Sequence, residues 1–598
     1  MSGISGALNI ASWSLYSSQL AMEVISHNIA NANTPGYSRQ SLQVEANYPI
    51  TVGPGQIGTG VKATEVTREY DDFINEQVTL KKSQYYYWEA RKNAMDEIET
   101  VFNESEGYGI NHMMSEFWNA WSDLSNNPDG IPEREALLAK SENLIQLIGE
   151  MDYNLREYQR HLDSTIQGSV DQINTIIEEI ADLNKQISSV EIEGLINAND
   201  LRDRRELLLE ELSTYMDISY YEEEQSGQVM VYILGGTPLV LGKDSYSLDV
   251  ERDATTGFTN VLWQGNGGRT VDIMYREEVS GTLTPRMDGG KLAGWVSVRD
   301  TNIGSYIDSM NNLVQELVWH VNSLHSEGVG LESVESMVGS VEVSGLGDIL
   351  GTDFLFSDGF NAGGSFDIIV YEDATGDATR STITLAAGAT VGDLITAVDG
   401  LGNLNAEIDA DNHVHIYSDA GYSFAVNPDE SAESSHALAI VGINTFFTWT
   451  EQVGTPLSDL TETLEIDSAL VNNSSLIATG HVDSNNAVSP GANEVALGIY
   501  SLQDQVITDF GGTGINTTMD AYYSSFIAEV GVDVQNADLN MKFNDTLLDQ
   551  YIKRKESITG VNLDEEMANL LKFQHLYQAA AKLISIADEM MQALLSTK

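Results

Sequence analysis

Apolar residues recur at alternating spacings of three and four near both ends of the chain, and this period predicts two long amphipathic helices. In the N-terminal helix the repeating positions are Ile4, Leu8, Ala11, Leu15, Ser18, Met22, Ile25, Ile29 and Ala32. In the C-terminal helix they are Leu570, Phe573, Tyr577, Ala580, Ile584, Ala587, Met591 and Leu594, and Leu576, Leu583 and Met590 widen the stripe. Because no adjacent core is evident at either end, we expect the two stripes to form contacts between subunits.

The helical period returns in the interior of the chain, where it alternates with shorter, strand-like segments. Two interior regions carry short apolar runs broken by Gly, Asn and Asp, which is typical of strands joined by turns. Helices are predicted for residues 74–102, 155–190, 199–213 and 291–327, and strands for residues 215–288 and 331–490.

This order of elements predicts an α+β multidomain protein, because 598 residues exceed what one core accommodates. Its long terminal helices form a coiled-coil-like helical body, and two β-rich domains are inserted in the middle. The predicted domains are a terminal helical domain (1–35 and 560–598), a helical body (36–214, 291–327 and 491–559), a β domain (215–290) and an outer acidic β-rich domain (328–490). We expect the two ends of each insertion to lie close together.

Two short motifs predict how particular helices begin and end. After the first helix, Thr34-Pro35-Gly36-Tyr37 predicts a type II turn, since Pro fixes φ at its second position and Gly adopts positive φ at its third. Asn31 and Asn33 are positioned to bind the last helical carbonyls or to adopt the left-handed conformation. In TVGDLITAV, Thr390 and Asp393 predict a capping box at the start of a short helix.

Charge and cysteine content exclude several classes of protein. The chain has 30 Lys and Arg against 90 Asp and Glu, a net charge of −60, which disfavours binding to nucleic acid and to anionic membrane surfaces. Residues 331–500 hold 26 acidic residues and one basic residue, Arg380, so we expect this region to face solvent. The chain has no cysteine, which excludes disulfides and thiolate chemistry. We predict neither membrane insertion nor a cleavable signal peptide.

No catalytic motif is evident, and we predict no enzymatic activity and no cofactor. His413 and His415 share one face of a predicted strand, and the lack of further evident ligands favours an exposed polar face over a metal site. The acidic segments 373–377 and 409–412 lack the spacing of a calcium-binding loop and are better explained as turns.

Both ends of the chain resemble one known family. The segment NIANANTPGY, from Asn28 to Tyr37, closely resembles the N-terminal signature of the flagellar rod, hook and hook-associated axial proteins. The segment SITGVNLDEEMANLLKFQHLYQAAAKLISIADEMMQALL is similar to the C-terminal helix of the same family. Interior segments such as ANDLRDRRELLLEELS and KLAGWVSVRD resemble the hook-associated members. The resemblance covers residues 1–327 and 455–598.

The resemblance implies a structural subunit of the bacterial flagellum that joins hook to filament and is required for filament assembly. It implies export through the flagellar type III apparatus to the cell exterior, assembly with copies of itself, and contact with the hook protein and the type 3 hook-associated protein. It also implies a helical export chaperone, for which we expect the binding residues to be Leu570, Phe573, Leu576, Tyr577, Leu583, Ile584 and Met591. The alternatives are a hook or distal-rod paralogue, and a flagellar scaffold with an adhesin or enzyme as its insertion.

Overall fold

The computed structural model describes residues 2–52, 55–104, 107–192, 196–223, 226–277, 283–450 and 460–596. The chain forms two compact units, each built from separate stretches of sequence. The first unit comprises Met1–Met95, Arg160–Asp300 and Gln535–Lys598, and the second comprises Asp96–Gln159 and Thr301–Val534. The division into four domains stays a prediction, but the α+β class with long terminal helices is confirmed.

Long helices begin and end the chain, and strands occupy three regions between them. The helices are α1 (Ser2–Asn31), α2 (Asp72–Val101), α3 (Ile110–Asn126), α4 (Ile131–Val190), α5 (Asn199–Tyr215), α6 (Gly290–Val296), α7 (Ile303–His325), α8 (Val391–Asp399), α9 (Ala437–Ile440), α10 (Leu460–Thr463), α11 (Ser468–Asn472), α12 (Glu494–Ser501), α13 (Met519–Thr559) and α14 (Leu563–Ser596). The strands are β1 (Gln40–Ala46), β2 (Ile50–Val52), β3 (Gly55–Ile57), β4 (Val61–Arg68), β5 (Ser219–Glu222), β6 (Val229–Ile233), β7 (Thr237–Leu241), β8 (Asp244–Ser245), β9 (Leu248–Arg252), β10 (Thr259–Gln264), β11 (Thr270–Asp272), β12 (Tyr275–Glu277), β13 (Leu283–Pro285), β14 (Ser336–Glu342), β15 (Ser365–Glu372), β16 (Ala378–Thr384), β17 (Leu404–Ile408), β18 (His413–Ser418), β19 (Tyr422–Pro428), β20 (Phe447–Thr448) and β21 (Glu465–Ile466).

In the first unit, the predicted β region is confirmed and packs on helices. Strands β5 to β8 form a four-stranded antiparallel sheet, and β9, β10 and β11 form a second sheet. Apolar residues of both sheets share one core with α4 and α5, where Ile173, Ile180 and Leu209 are fully buried beside Val231 and Val261. The alternation of buried and half-buried residues along β6 and β10 matches sheets with one face against a core.

The helix predicted for residues 291–327 is interrupted. A π-helical turn, Ser297–Asn302, separates α6 from α7. It places the buried guanidinium of Arg299 against Asp163 of α4, with 2.6 Å between Nη1 and Oδ1, and Nη1 also donates to the carbonyl of Thr259 on β10. The π-helical turn therefore holds the residue that joins α4 to β10, and the periodicity of the sequence does not predict this link.

In the second unit, β14 to β19 form two three-stranded sheets around the short helix α8. The strand orders are β14-β18-β17 and β16-β15-β19. The predicted hairpin is confirmed as β17 and β18, paired antiparallel. The capping box is confirmed as well, since Thr390 Oγ1 accepts the Asp393 amide and the Asp393 carboxylate accepts the Thr390 amide. These strands are hereafter called the acidic β-region.

Residues near the two ends of the predicted insertion, 328–490, meet at a short neck, as expected for an insertion. The Val329 amide donates to the carbonyl of Gly480 at 2.9 Å, and the Thr479 amide returns a bond to Val329 at 3.1 Å. Two residues after Val329, the Leu331 amide donates to the carbonyl of Ser475.

Two residues of the predicted insertion 328–490, Phe446 and Phe447, pack against helix α3 of the second unit. Phe446 and Phe447 are fully buried. Their rings lie 5.2 Å from Trp121 and 5.9 Å from Phe117 of α3, respectively. Among the described residues, the rings that contact Phe446 and Phe447 come from α3 and α7 and from this pair itself, and none comes from residues 335–432.

Within the residues that the structure describes, no helix combines the length and apolar character needed to cross a bilayer.

Candidate assembly site at the paired chain termini

The first and last helices pack against each other along their length within one chain. Glu566, in the first turn of α14, lies beside Asn28, in the last turn of α1, so the helices run antiparallel. Small residues occupy the seam, where Ala11, Ala580 and Ala587 are all nearly inaccessible to solvent. Alanine at these positions allows the two backbones to approach closely.

The residues of both predicted stripes lie on the faces that meet. On α1, Ala11, Ser18 and Ile25 are buried and Ile4, Leu8, Leu15, Met22 and Ile29 are half-buried. On α14, Ala580 and Ala587 are buried, Leu570, Phe573 and Ile584 are half-buried, and Tyr577, Met591 and Leu594 are exposed. The stripes thus cover each other inside the chain, and their role between subunits stays a prediction.

A second apolar face of α14 points to solvent. Leu576, Leu583 and Met590, seven residues apart, are 43%, 52% and 52% exposed, and Ile586 on the same side is 40% exposed. The sequence shows these residues only as a widening of the first stripe. The structure separates them from it, because α1 covers one face of α14 and leaves this one bare. We call Leu576, Leu583, Ile586 and Met590 the outer stripe.

The predicted turn after α1 is confirmed. The Tyr37 amide donates to the carbonyl of Thr34 at 3.2 Å, and Gly36 has φ +75°, the value that type II turns require at this position. The Asn31 side chain donates to the carbonyl of His27 in the last turn of the helix, as predicted, whereas Asn33 is exposed. Pro35 and Gly36 are exposed at the tip of the turn.

Asn28 is the hub that joins the helix, the turn and the C-terminal helix. Its Nδ2 donates to the carbonyl of Gln40 at 2.9 Å and to Glu566 Oε2 at 3.2 Å. Its Oδ1 accepts the Gln40 amide at 2.9 Å and the Tyr37 hydroxyl at 2.8 Å. A buried Asn with all these bonds fixes the direction in which the chain leaves α1.

Tyr37 completes this hub on its exposed side. Its hydroxyl lies 3.0 Å from His27 Nδ1, and the two rings meet edge to face. Burial, followed by the charges of Asp200, Asp203 and Glu566, raises the pKa of Tyr37 well above its usual value. The hydroxyl therefore keeps its proton and remains a donor to Asn28.

Charged residues of α5 and the end of α13 hold the turn to the rest of the first unit. The Ser38 amide donates to Asp203 Oδ2 at 2.8 Å, and Asp203 Oδ1 pairs with the buried Arg68 at 2.9 Å. The Arg39 amide donates to the carbonyl of Thr559 at 2.8 Å. Sequence reasoning missed Asp203 and Arg68, although the alternating charges of α5 mark that helix as a source of ion pairs.

The metal and calcium candidates of the sequence have other roles in the structure. His415 Nε2 lies 2.8 Å from Ser336 Oγ, and the side chain of Asp409 accepts the amides of Asp411 and His413 within its own turn. Over the described ranges, no group of three or more potential ligands is arranged to hold a metal ion.

Known proteins are similar to this chain along nearly its whole length. Family models match residues 8–37 ("Flagella basal body rod protein"), 95–337 ("Flagellar hook-associated protein FlgK helical domain") and 557–597 ("Flagellar basal body rod FlgEFG protein C-terminal"). Flagellar hook-associated protein 1 of Escherichia coli K12 is 26% identical over all of both chains. Its namesake in Bacillus subtilis 168 is 24% identical over 98% of this chain and 97% of that protein.

A solved structure shares the fold. The flagellar hook junction protein FlgK from Burkholderia pseudomallei aligns with a TM-score of 0.50 over 81% of this chain and all of that chain, at 15% identity.

Proposed function

We propose that this chain, like the flagellar hook-associated protein 1 relatives that match it along nearly its whole length, is a structural protein of the hook–filament junction, and that its paired terminal helices form the contacts between neighbouring subunits. The outer stripe carries this proposal. Four large apolar residues are exposed on a face of α14 that adjoins the face covered by α1. Such a face gains stability when another helix packs on it, and copies of the same chain supply that helix.

The hub around Asn28 gives these contacts a defined geometry. Because Asn28 binds the turn, Gln40 and Glu566 together, the α1–α14 pair is held in one direction relative to the rest of the first unit. Subunits in a closed ring or helical array require the same direction in every copy. The motif turn is thus a positioning element, and the outer stripe is the contact itself.

The partners follow from the family. We propose that the chain assembles with itself, with the hook protein on one side and with the type 3 hook-associated protein on the other. We also propose that it reaches the cell exterior through the flagellar type III apparatus. The net charge of −60 is consistent with assembly only after export, because like charges keep unassembled copies apart in solution.

An export chaperone could bind either of two faces of α14. One is exposed while α14 is paired with α1, and the other becomes accessible only after the two helices separate. Leu576 and Leu583 are exposed while α14 is paired with α1. Leu570, Phe573 and Ile584 lie against α1, so a chaperone that binds them requires α14 to separate from α1. Tyr577 and Met591, at the edge of the seam, are accessible in part. Helix-in-groove binding accommodates either face.

The test is a charge substitution on the outer stripe. We expect Leu576→Asp with Leu583→Asp to abolish filament assembly in a deletion strain, because a carboxylate in an apolar interface is left desolvated. The control is Gln578→Asp with Ser585→Asp, which places two carboxylates at the same spacing on exposed polar positions of α14.

Electron microscopy distinguishes the outcomes. Hooks without filaments, with flagellin in the medium, support the proposal, and absence of hooks supports the hook or rod paralogue instead. Normal filaments in the outer-stripe variant would refute the proposed contact. Chaperone affinity of the same variant, measured by calorimetry, separates an export defect from an assembly defect.

A further inference from the structure

One carboxyl group is buried at the root of the acidic β-region, and none of the residues that the structure describes forms an ion pair with it. Glu327 follows α7 directly and precedes the neck, and it is 4% exposed. Its Oε1 accepts a hydrogen bond from the hydroxyl of Ser434, at the far end of the acidic β-region, and the carboxyl also accepts the amide of His436. Glu327 therefore links the point where the chain enters the region to the point where it leaves.

The backbone around Glu327 has little freedom to move. The side-chain amide of Asn444 donates to the carbonyls of His325, Ser326 and Gly328, at 3.2, 3.2 and 3.0 Å. The Gly328 amide donates to the carbonyl of His325 at 3.0 Å. With its neighbours fixed, the Glu327 side chain cannot turn out to water without opening this turn.

The titratable groups on the surrounding elements do not neutralise the carboxylate. On α7, His320 pairs with Glu316 at 3.3 Å, and His325 binds the Asn444 carbonyl and the Ala478 amide. From α4, Arg134 donates to backbone carbonyls. On the facing loop, His436 Nδ1 lies 3.2 Å from Ser434 Oγ, and its ring packs edge to face on Trp319.

We propose that Glu327 is a proton-binding switch that fastens the acidic β-region at its root when protonated and loosens it when ionised. The neutral carboxyl accepts the hydrogen bonds from the Ser434 hydroxyl and the His436 amide without placing a charge in the buried site. Loss of the proton leaves a negative charge in a dry site, and opening the root is the way for that charge to reach water. The proton is released to solvent, and the ionisation needs no other reactant.

The working range of this switch lies near neutral pH. Burial raises the pKa of Glu327 to about 7, and the bonds from Ser434 and His436 limit that rise. A carboxyl whose pKa is higher in the closed than in the open form favours closure at low pH and loses that contribution as pH rises toward its closed-state pKa. The equilibrium for opening then increases about tenfold between pH 6 and pH 8.

Hydrogen exchange on the full-length protein tests the proposal. After correction for the chemical exchange rate, peptides covering residues 326–332 and 433–440 should exchange about tenfold faster at pH 8 than at pH 6. Glu327→Gln keeps the shape and removes the charge, so it should abolish this difference. Glu335→Gln removes an exposed carboxylate of the same region and should leave it unchanged.

A second variant keeps the proposal testable if Glu327→Gln does not fold. Ser434→Ala removes the hydroxyl that stabilises the ionised form, so the transition should move to higher pH, which loss of packing alone would not cause. The carboxyl carbon resonance of Glu327, from protein labelled at glutamate, reports its titration directly. Titration of Glu327 below pH 5, or a pH dependence that persists in Glu327→Gln, would overturn the switch.

Discussion

The side-chain amide of Asn28 donates a hydrogen bond to the carboxylate of Glu566, 538 positions further along the chain. Both residues are buried, at 1% and 3% exposure. The bond joins the end of the first helix to the start of the last one, at the position where the motif turn begins.

Replacing Asn28 should therefore loosen the terminal helix pair. In Asn28→Ala, Glu566 and the Tyr37 hydroxyl lose a partner in a buried site, and each unsatisfied group costs about 1–3 kcal/mol. We expect faster hydrogen exchange in α1 and α14 and reduced filament assembly. Asn33→Ala, in the same motif but exposed, is the control and should behave as the unmodified protein. Equal exchange in both variants would contradict the role of Asn28 as a hub.

Two deletions test how much of the outer region is separable. Removing residues 331–490 takes Phe446 and Phe447 out of the aromatic core, so we expect the second unit not to fold. Removing only 335–432, with a Gly/Ser linker of about ten residues that spans roughly 17 Å, should leave that core and filament assembly intact. The shorter deletion also removes Phe356, which stacks on Trp319, so its Tm should be lower.

Motility assays and thermal unfolding distinguish these deletions. Filament loss with a folded shorter variant would mean that the acidic β-region carries assembly contacts. Normal filaments with loss of adhesion or of hydrolytic activity would favour a scaffold that carries an added function there.

His325 should govern the acid limit of the second unit. Burial lowers its pKa to about 4, with the Arg134 charge acting in the same direction and the bond to the Asn444 carbonyl opposing it. Folding thus depresses this pKa, so the stabilisation is present above the unfolded value near 6.5 and is lost as pH falls through 4. Protonation also breaks the bond from the Ala478 amide to Nε2, 2.9 Å long.

We expect His325→Gln to flatten the fall in unfolding free energy between pH 6.5 and 4, measured by urea titration. The difference between the two proteins isolates this residue from other groups that titrate in that range. His112→Gln, at an exposed position of the same unit, should follow the unmodified protein. Parallel curves for His325→Gln and the unmodified protein would disprove the assignment.

Arg134 should be irreplaceable by lysine. It is fully buried, and its guanidinium donates to the carbonyl of Pro128 at 2.7 Å and to that of Ile477 at 2.6 Å, on opposite sides of the group. An ammonium cannot reach both loops, so we expect Arg134→Lys to lose about 3 kcal/mol of unfolding free energy. Lys140→Met, which removes a partly exposed ion pair with Glu116, should lose less than about 1 kcal/mol. Similar losses in the two variants would contradict this prediction.

Local signals in the sequence predicted local structure well. The periods of α1 and α14, the turn at Gly36 and the capping box of Thr390 each depend on residues within a few positions of one another, and all are observed. Helix α4 was predicted only from residue 155 although it begins at Ile131.

Long-range partners left no comparable signal. A helical stripe reports that a face is buried but not what covers it. The sequence put both terminal helices in one domain but assigned their stripes to contacts between subunits, whereas the structure packs the two helices on each other within the chain. Asn28 and Arg134 left no signal either, because their partners are largely backbone atoms or side chains hundreds of positions away. Phe446 and Phe447 lie in an apolar run too short to distinguish a core segment from a strand of the acidic β-region.

The pairing of α1 with α14 also sets an order of events in time. Ribosomes make the chain from its N-terminus, so α1 exists without its main partner until α14 has been made. A contact this distant in sequence is slow to form and closes late, after the local structure between its ends has shortened the effective loop. The residues of α1 are therefore among the last to reach their final environment, although they are made long before α14. The interval between the synthesis of α1 and its pairing with α14 is when the first helix is most open to other partners.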